Sequence, residues 1–142
     1  MLTSDALERL GRALAEDIPD AVVYADREGT ILYWNAGAAR IFGDEAREAV
    51  GQSLDLIIPE RLRPRHWEGY RRMMATGASR HGASDLLSVP AQAKTGASLS
   101  IQFTVAPVRD AGGRTSGIVA VMRDVTHDYL EMKRLRARAE RG

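Results

Sequence analysis

Residues 21–35 read AVVYADREGTILYWN, and this stretch decides the fold. Two runs rich in β-branched and aromatic residues, 21–26 and 31–34, flank a short polar segment, which is the pattern of two strands joined by a turn. Gly29 can take the positive φ that a tight hairpin turn requires. Asn35 follows the second strand and can cap the first turn of a helix with its side-chain oxygen. The stretch therefore predicts an antiparallel hairpin that leads directly into a helix.

Three further strands are expected in the second half of the chain. Residues 99–105 alternate between apolar and polar side chains, which is the period of a half-buried strand. The apolar runs 86–91 and 118–122 predict two more strands. Pro90 indicates either an edge position or a bulge for the first of them, because proline cannot donate to a strand ladder. Short glycine-containing turns separate these runs, so we expect hairpins and an antiparallel sheet.

Helices are expected between the first hairpin and the later strands. Short helical segments fill the region from Asn35 to Gly51, and a longer helix runs from Arg61 to Gly77, with Pro64 in its opening turn. The element order is then helix, two strands, several helices, three strands and a final helix. An antiparallel sheet with helices packed on one face satisfies this order, so we predict an α+β fold.

The two ends of the chain have the apolar spacing of amphipathic helices. Near the N-terminus, three leucines recur at spacings of three and four: Leu7, Leu10 and Leu14. In the Lys/Arg-rich C-terminal stretch, three apolar residues recur at spacings of three: Tyr129, Met132 and Leu135. We expect a dimerisation helix over 1–18, the main domain over 19–126 and an exit helix over 127–142. The apolar stripes predict a homodimer that pairs through these terminal helices.

The composition limits the chemistry that the chain can support. It has 142 residues, 44% of them hydrophobic, and a formal net charge of +1, which fits one globular domain and gives no reason to expect nucleic-acid binding. Cysteine is absent, so disulfides, thiolate metal sites, iron–sulfur clusters and thiol-linked chromophores are excluded. The mean hydropathy is −0.27, and no apolar run approaches the roughly 18 residues of a membrane span. Without a signal-peptide pattern, we expect a cytoplasmic protein that does not enter a membrane.

Charge is unevenly distributed along the chain. Residues 1–60 contain 12 acids and 5 bases, whereas residues 61–81 contain six arginines and one acid, Glu68. A cationic cluster in a nearly neutral protein favours an anionic ligand, and the alternative is a solvated helix face. The charge pattern alone leaves both interpretations open.

Several short motifs, taken in their order along the chain, resemble the PAS domain family. They are DREGTI at 26–31, WNAGA at 34–38, EAVGQ at 48–52, IIPE at 57–60 and GIV…RDVT at 117–126. The resemblance covers about residues 16–126. It implies a five-stranded antiparallel sheet in the order 2-1-5-4-3, with a ligand cavity between the sheet and the helix that carries His66. It also implies a sensory or dimerisation module without enzymatic activity, whose last helix passes a signal to an output domain or a partner protein.

The segment 58–77 resembles the haem-binding helix of the PAS oxygen sensors FixL and DosP. This resemblance implies that His66 is the axial ligand of a haem b iron and that Arg72 and Arg80 lie near the haem propionates. The module would then sense a diatomic gas or a redox state. A neutral imidazole is a good iron ligand and arginine suits a carboxylate, so the residue chemistry agrees. The residues expected to line the cavity are Ile57, Tyr70, Met74, Leu86, Leu87, Ile101, Phe103 and Val121.

The distal side of the expected haem differs from that of those sensors. The chain has no methionine between Ala75 and Val121, and Leu86 stands near the position where FixL carries its gas-binding arginine. We therefore expect an apolar distal face and a five-coordinate iron. His81 is a second candidate ligand, and its alternative is a loop residue with its ring in solvent.

Other functions are compatible with the same residues. His66 can instead pack or form a hydrogen bond in a domain that binds FAD, a small carboxylate or no cofactor, and that acts by dimerisation. The residue types of a hydrolase triad occur at His81, Ser84 and Asp85. Neighbouring loop positions, however, provide neither an oriented base nor an oxyanion hole. We therefore expect a binding module and not an enzyme.

Overall fold

The centre of the fold is one antiparallel sheet of five strands, seen in a computed structural model that describes residues 1–77 and 87–141. The strands are β1 (Ala21–Asp26), β2 (Ile31–Trp34), β3 (Leu87–Gln92), β4 (Ser98–Arg109) and β5 (Thr115–Asp124). They lie in the order β2-β1-β5-β4-β3. The strand order expected from the family resemblance is thus confirmed.

Helices surround the sheet and occupy the positions that the sequence pattern predicts. They are α1 (Ser4–Glu16), α2 (Ala36–Phe42), α3 (Ala46–Ala49), α4 (Arg63–Thr76) and α5 (Thr126–Arg141), with short 3₁₀ segments at Leu54–Ile57 and Glu60–Leu62. Asn35 caps α2 as expected, because its Oδ1 accepts a hydrogen bond from the N–H of Ala38 at 2.9 Å. Pro64 lies in the first turn of α4, where a missing N–H costs no helical hydrogen bond.

The core lies between one face of the sheet and the helices. Val23 of β1 is fully buried and pairs with Trp34 of β2 and Ala120 of β5, so these three side chains share the core face. Phe42 of α2 packs against Trp34, with the ring centroids 5.5 Å apart. Ile101 of β4 is also almost fully buried in this cluster. The core therefore joins the helices to strands β1, β2, β4 and β5.

The end of β4 differs from the sequence-based expectation. The alternation ends at residue 105, but β4 runs to Arg109 because residues 106–109 continue to pair with β5 across the hairpin. Backbone pairing thus extends past Pro107, where the side-chain pattern stops being informative. Leu86, the expected first residue of β3, lies outside the described residues.

The β1–β2 turn rests directly on α4. Asp26 Oδ1 accepts hydrogen bonds from the N–H groups of Glu28 and Thr30, each at 3.0 Å, which closes the turn. Gly29 has φ of 82° and is covered by the indole of Trp67, such that a Cβ at position 29 would overlap the ring. The predicted hairpin therefore also fixes the place of the helix that carries His66.

The terminal helices stand apart from this core. Neither α1 nor α5 buries any of its residues. Within the ranges 1–77 and 87–141, no helix combines the length and the apolar character that crossing a bilayer requires.

Candidate ligand site around His66

The inward face of α4 carries a row of aromatic and thioether side chains. Tyr70, Met73 and Met74 are buried in the core, and His66 and Trp67 are half-buried one turn earlier. These residues recur at the three- and four-residue spacing that places side chains on one helix face. The helix thus presents His66 and Tyr70 on the side that faces the fold.

The His66 imidazole is enclosed but makes no hydrogen bond. Its ring lies edge-on to Trp67 with centroids 4.7 Å apart, and 5.8 Å from the ring of Tyr70. Nδ1 is buried without a hydrogen-bond partner, and no other side-chain nitrogen or oxygen in the described residues shares this condition. An unpartnered buried polar atom is destabilising, so its presence marks a candidate binding position.

The protonation state of His66 follows from its surroundings. Burial lowers the pKa of the imidazole from 6.5 to about 4, and the negative charge of Asp55 acts in the opposite direction. Burial dominates because a low-dielectric environment disfavours the charged ring. At neutral pH the ring is therefore uncharged, and one of its nitrogens keeps a lone pair that can bind a metal or accept a hydrogen bond.

Two hydrogen bonds hold the neighbouring rings in place. Trp67 Nε1 donates to Asp55 Oδ1 at 2.7 Å. The Tyr70 hydroxyl donates to the main-chain carbonyl oxygen of Asp26, and burial raises the pKa of this hydroxyl well above 10. Together these bonds connect α4 to the Leu54–Ile57 segment and to the end of β1. Sequence reasoning did not identify Asp55, for which the sequence offered no signal.

Arg72 does not lie on the inward face of α4. Its side chain is 45% exposed and forms an ion pair with Glu68 at 3.6 Å. Position 72 is two residues beyond Tyr70, which corresponds to about 200° around a helix. The helical rotation thus turns Arg72 toward solvent, and its expected place near a haem propionate stays a prediction.

The other residues singled out from the sequence divide into four groups. Ile57, Met74 and Ile101 are buried in the core cluster, and Phe103 packs against it while partly buried. Val121 alternates with the buried residues of β5 and pairs with Val22 and Thr104, so it lies on the opposite face of the sheet. Its expected contribution to a cavity under the helices is corrected accordingly. The backbone of Leu87 pairs with that of Phe103. Five candidates lie outside the described residues: Arg80, His81, Ser84, Asp85 and Leu86.

A cleft that sequence reasoning did not anticipate opens at another part of the molecule. It has a volume of about 750 Å³ and lies between the β1–β2 turn, the end of α4 and the β4–β5 hairpin. Its charged lining residues are Asp26, Arg27, Glu28, Arg109, Asp110 and Arg114. Equal numbers of acids and bases make it electrostatically balanced, and His66 is not among the lining residues.

The chemistry available around His66 is that of a single neutral donor. In the part of the chain that the structure describes, no three or more His, Asp or Glu side chains come together as a metal cluster. A metal centre that needs only one protein ligand, such as the iron of a porphyrin, matches this donor set. The unpartnered Nδ1 and the neighbouring rings of Trp67 and Tyr70 fit such a group.

Comparisons with known proteins agree with the fold. The sequence profile of the PAS fold matches residues 15–129. The chain is 26% identical over 124 residues to the sensor protein FixL of Bradyrhizobium diazoefficiens. This alignment covers 87% of this chain and 24% of FixL. It is also 26% identical over 125 residues to the oxygen sensor protein DosP of Escherichia coli, covering 87% of this chain and 15% of DosP.

Two further similarities extend this result. An uncharacterised protein of Azorhizobium caulinodans is 34% identical over 120 residues, covering 84% of this chain and 16% of that protein. The chain therefore spans at most 24% of the length of these three relatives. The crystal structure of a PAS domain from Colwellia psychrerythraea superposes with a TM-score of 0.73 at 19% identity, covering 85% of this chain and 98% of that one. At this identity the structural similarity supports the fold alone.

Proposed function

Because this chain belongs to the PAS family, we propose that it is a sensory module that binds haem b through His66 and responds to a diatomic gas or to redox state. The observation that carries the proposal is the buried, unpartnered Nδ1 of an uncharged imidazole. The similarity to FixL and DosP supports the same assignment. When bound, haem iron supplies a coordination position at which a gas can bind.

The residues around His66 have distinct roles in this proposal. His66 binds the iron, and the Trp67 and Tyr70 rings restrict the orientation of the imidazole. Tyr70 and Met74 are packed in the core with Ile101, so a porphyrin between α4 and the sheet requires these side chains to separate. The Trp67–Asp55 and Tyr70–Asp26 hydrogen bonds are the contacts that such a displacement of α4 would alter.

The signal leaves through β5 and α5 in this proposal. The start of α5 is fastened to β4, since Val125 N–H donates to Ser100 carbonyl oxygen and Ser100 N–H donates to Thr126 Oγ1, both at 2.9 Å. A change in sheet packing is therefore communicated to α5, which passes it to an output domain or a partner protein. The module itself has no catalytic role in this scheme.

An absorption spectrum tests the haem assignment. We expect purified protein, as isolated or after hemin titration, to show a Soret band that His66→Ala abolishes. His127→Ala is the matched control, because the His127 side chain is 94% exposed and lies in α5. A colourless protein that takes up no hemin, or a band that survives His66→Ala, would contradict the proposal.

A separate observation favours self-association through the terminal helices. Leu7, Leu10 and Leu14 are 59%, 45% and 55% exposed along one stripe of α1. Exposed apolar stripes of this kind mark helix-pairing surfaces. We propose that a second copy of the chain covers this stripe, with or without a ligand in the domain.

Sedimentation tests this second proposal independently of haem. Leu10→Glu should convert a dimer to monomers because it places a carboxylate in the apolar stripe. Arg9→Glu adds a carboxylate to the polar side of α1 and should leave the dimer intact. A dimer that persists in Leu10→Glu, or a monomeric parent protein, would show that the stripe does not pair copies of the chain.

A further inference from the structure

The Asn35 side chain uses its whole hydrogen-bonding capacity. Oδ1 accepts from the N–H groups of Val22 at 2.8 Å and Ala38 at 2.9 Å. Nδ2 donates to the carbonyl oxygens of Ala15 at 2.8 Å and Asp20 at 3.0 Å. Asn35 is only 4% exposed, so the four bonds are shielded from water. An amide with two acceptor and two donor positions is then fully satisfied.

The two ends of this amide bind different parts of the molecule. Oδ1 accepts hydrogen bonds from the main domain, because Val22 belongs to β1 and Ala38 to the first turn of α2. Nδ2 donates hydrogen bonds to the N-terminal segment, because Ala15 lies in the last turn of α1 and Asp20 in the linker between α1 and β1. The last carbonyl groups of a helix have no partner within it, and Asn35 satisfies one of them for α1.

The linker at Asp20 is held from a second side by β5. The guanidinium of Arg123 donates from Nε and from a terminal nitrogen to the two carboxylate oxygens of Asp20, each at 3.2 Å. A two-point contact fixes orientation as well as distance. Gly37 of α2 also touches the linker so closely that a Cβ would overlap the Asp20 carbonyl. Since α1 buries no residue of its own, these contacts and not core packing determine where it points.

We propose that Asn35 and the Asp20–Arg123 pair form a clamp that sets the direction of α1 relative to the sheet. Arg123 directly precedes Asp124-Val125-Thr126, where α5 begins. The clamp therefore fastens the attachment points of both terminal helices to the same corner of the sheet. A shift of the end of β5 moves Asp20, and with it the base of α1. This role requires neither haem nor dimerisation.

Distance measurements between spin labels test the clamp. The chain lacks cysteine, so Arg9→Cys in α1 and Ala97→Cys before β4 provide two unique attachment sites. The labelled protein is diluted with unlabelled protein so that distances between copies do not contribute. Asn35→Asp keeps the accepting oxygens but replaces the Nδ2 donor with an oxygen that repels the Ala15 and Asp20 carbonyl groups. We expect the distance distribution to become about twofold wider or to shift, as for a locally released element.

Variants at Asp20 keep the test decisive if Asn35→Asp does not fold. Asp20→Ala should also widen the distribution, and exchanging the charges with Asp20→Arg and Arg123→Asp together should narrow it again. Asp17→Ala is the matched control, because the exposed Asp17 side chain forms no hydrogen bond or ion pair in the described structure. Distributions of unchanged width and position in the folded Asn35 and Asp20 variants would overturn the proposal.

Discussion

At the scale of single residues, His66 gives the haem-free protein a distinctive pH dependence. Its pKa is about 4 in the folded protein, compared with 6.5 for an ordinary histidine. Between these values the unfolded chain binds a proton that the folded protein does not, so stability falls as the pH is lowered through this window. The full effect is about 3 kcal/mol, since one pKa unit corresponds to about 1.4 kcal/mol.

Urea unfolding across this pH range provides the measurement. His66→Gln removes the titrating ring, so the variant should lose less stability than the parent between pH 6.5 and 4. His127→Gln should keep the parent's pH dependence, because His127 is exposed in α5. If the free energy of unfolding falls equally with pH in the parent and in His66→Gln, the His66 ring is accessible to protons in the folded protein.

The contact between Gly29 and Trp67 makes a second prediction at this scale. Gly29→Ala forces a side chain into a backbone with φ of 82° and against the Trp67 indole. The left-handed conformation costs alanine about 1–2 kcal/mol, and overpacking adds about 1–3 kcal/mol. Gly51→Ala is the matched control, since Gly51 has φ of 93° with open space around its Cβ position. Equal losses of unfolding free energy in the two variants would exclude a tight contact between the hairpin and α4.

At the scale of elements, α4 carries a glycine that nothing in the structure requires. Gly69 lies on the exposed side of α4, and a Cβ there would meet no atom within 4 Å. Gly69→Ala should therefore raise the free energy of unfolding by about 0.5–1 kcal/mol through helix propensity. A Cβ at Gly11 in α1 is equally unobstructed. Because α1 buries no residue, Gly11→Ala should increase the helical circular dichroism with little change in Tm. A fall in Tm for Gly69→Ala would show that this glycine is needed for close approach of another surface.

The elements also show how far sequence reasoning reaches. The hairpin, the Asn35 cap and the inward face of α4 were predictable because each rests on a local pattern of turn residues, caps or three- and four-residue spacing. The resemblance that named Arg72 did not indicate that helical rotation and Glu68 direct its side chain to solvent. The assignment of Val121 to the cavity was wrong because every residue in the run 118–122 is apolar. Such a run does not reveal which alternate residues face the core.

Other features depend on contacts between distant segments, which no local pattern encodes. The Trp67–Asp55 bond joins residues twelve positions apart, and the Arg123–Asp20 pair joins residues 103 positions apart. The partner of each group was therefore not predictable from the sequence. The resemblance to a haem-binding PAS helix pointed to His66, but the unpartnered state of Nδ1 emerges only from the assembled fold.

At the scale of the whole molecule, the core belongs to the sheet and the helices between β2 and β3. Its buried hydrophobic residues lie between Ala21 and Met122, and neither α1 nor α5 contributes to them. Removing residues 1–12 should therefore change the free energy of unfolding of the monomer by less than about 1 kcal/mol, because regions without buried apolar contacts add little to global stability. The same truncation removes Leu7 and Leu10, so it should abolish the dimer.

Urea unfolding at several protein concentrations separates these two effects. In the full chain, the midpoint should rise with protein concentration if association stabilises the folded state, whereas in the truncated chain it should not. At the lowest concentrations, where both proteins are monomeric, the two midpoints should converge. A truncated chain that is several kcal/mol less stable even there would mean that α1 packs on its own sheet in solution, and would remove the leucine stripe as a surface for a second copy.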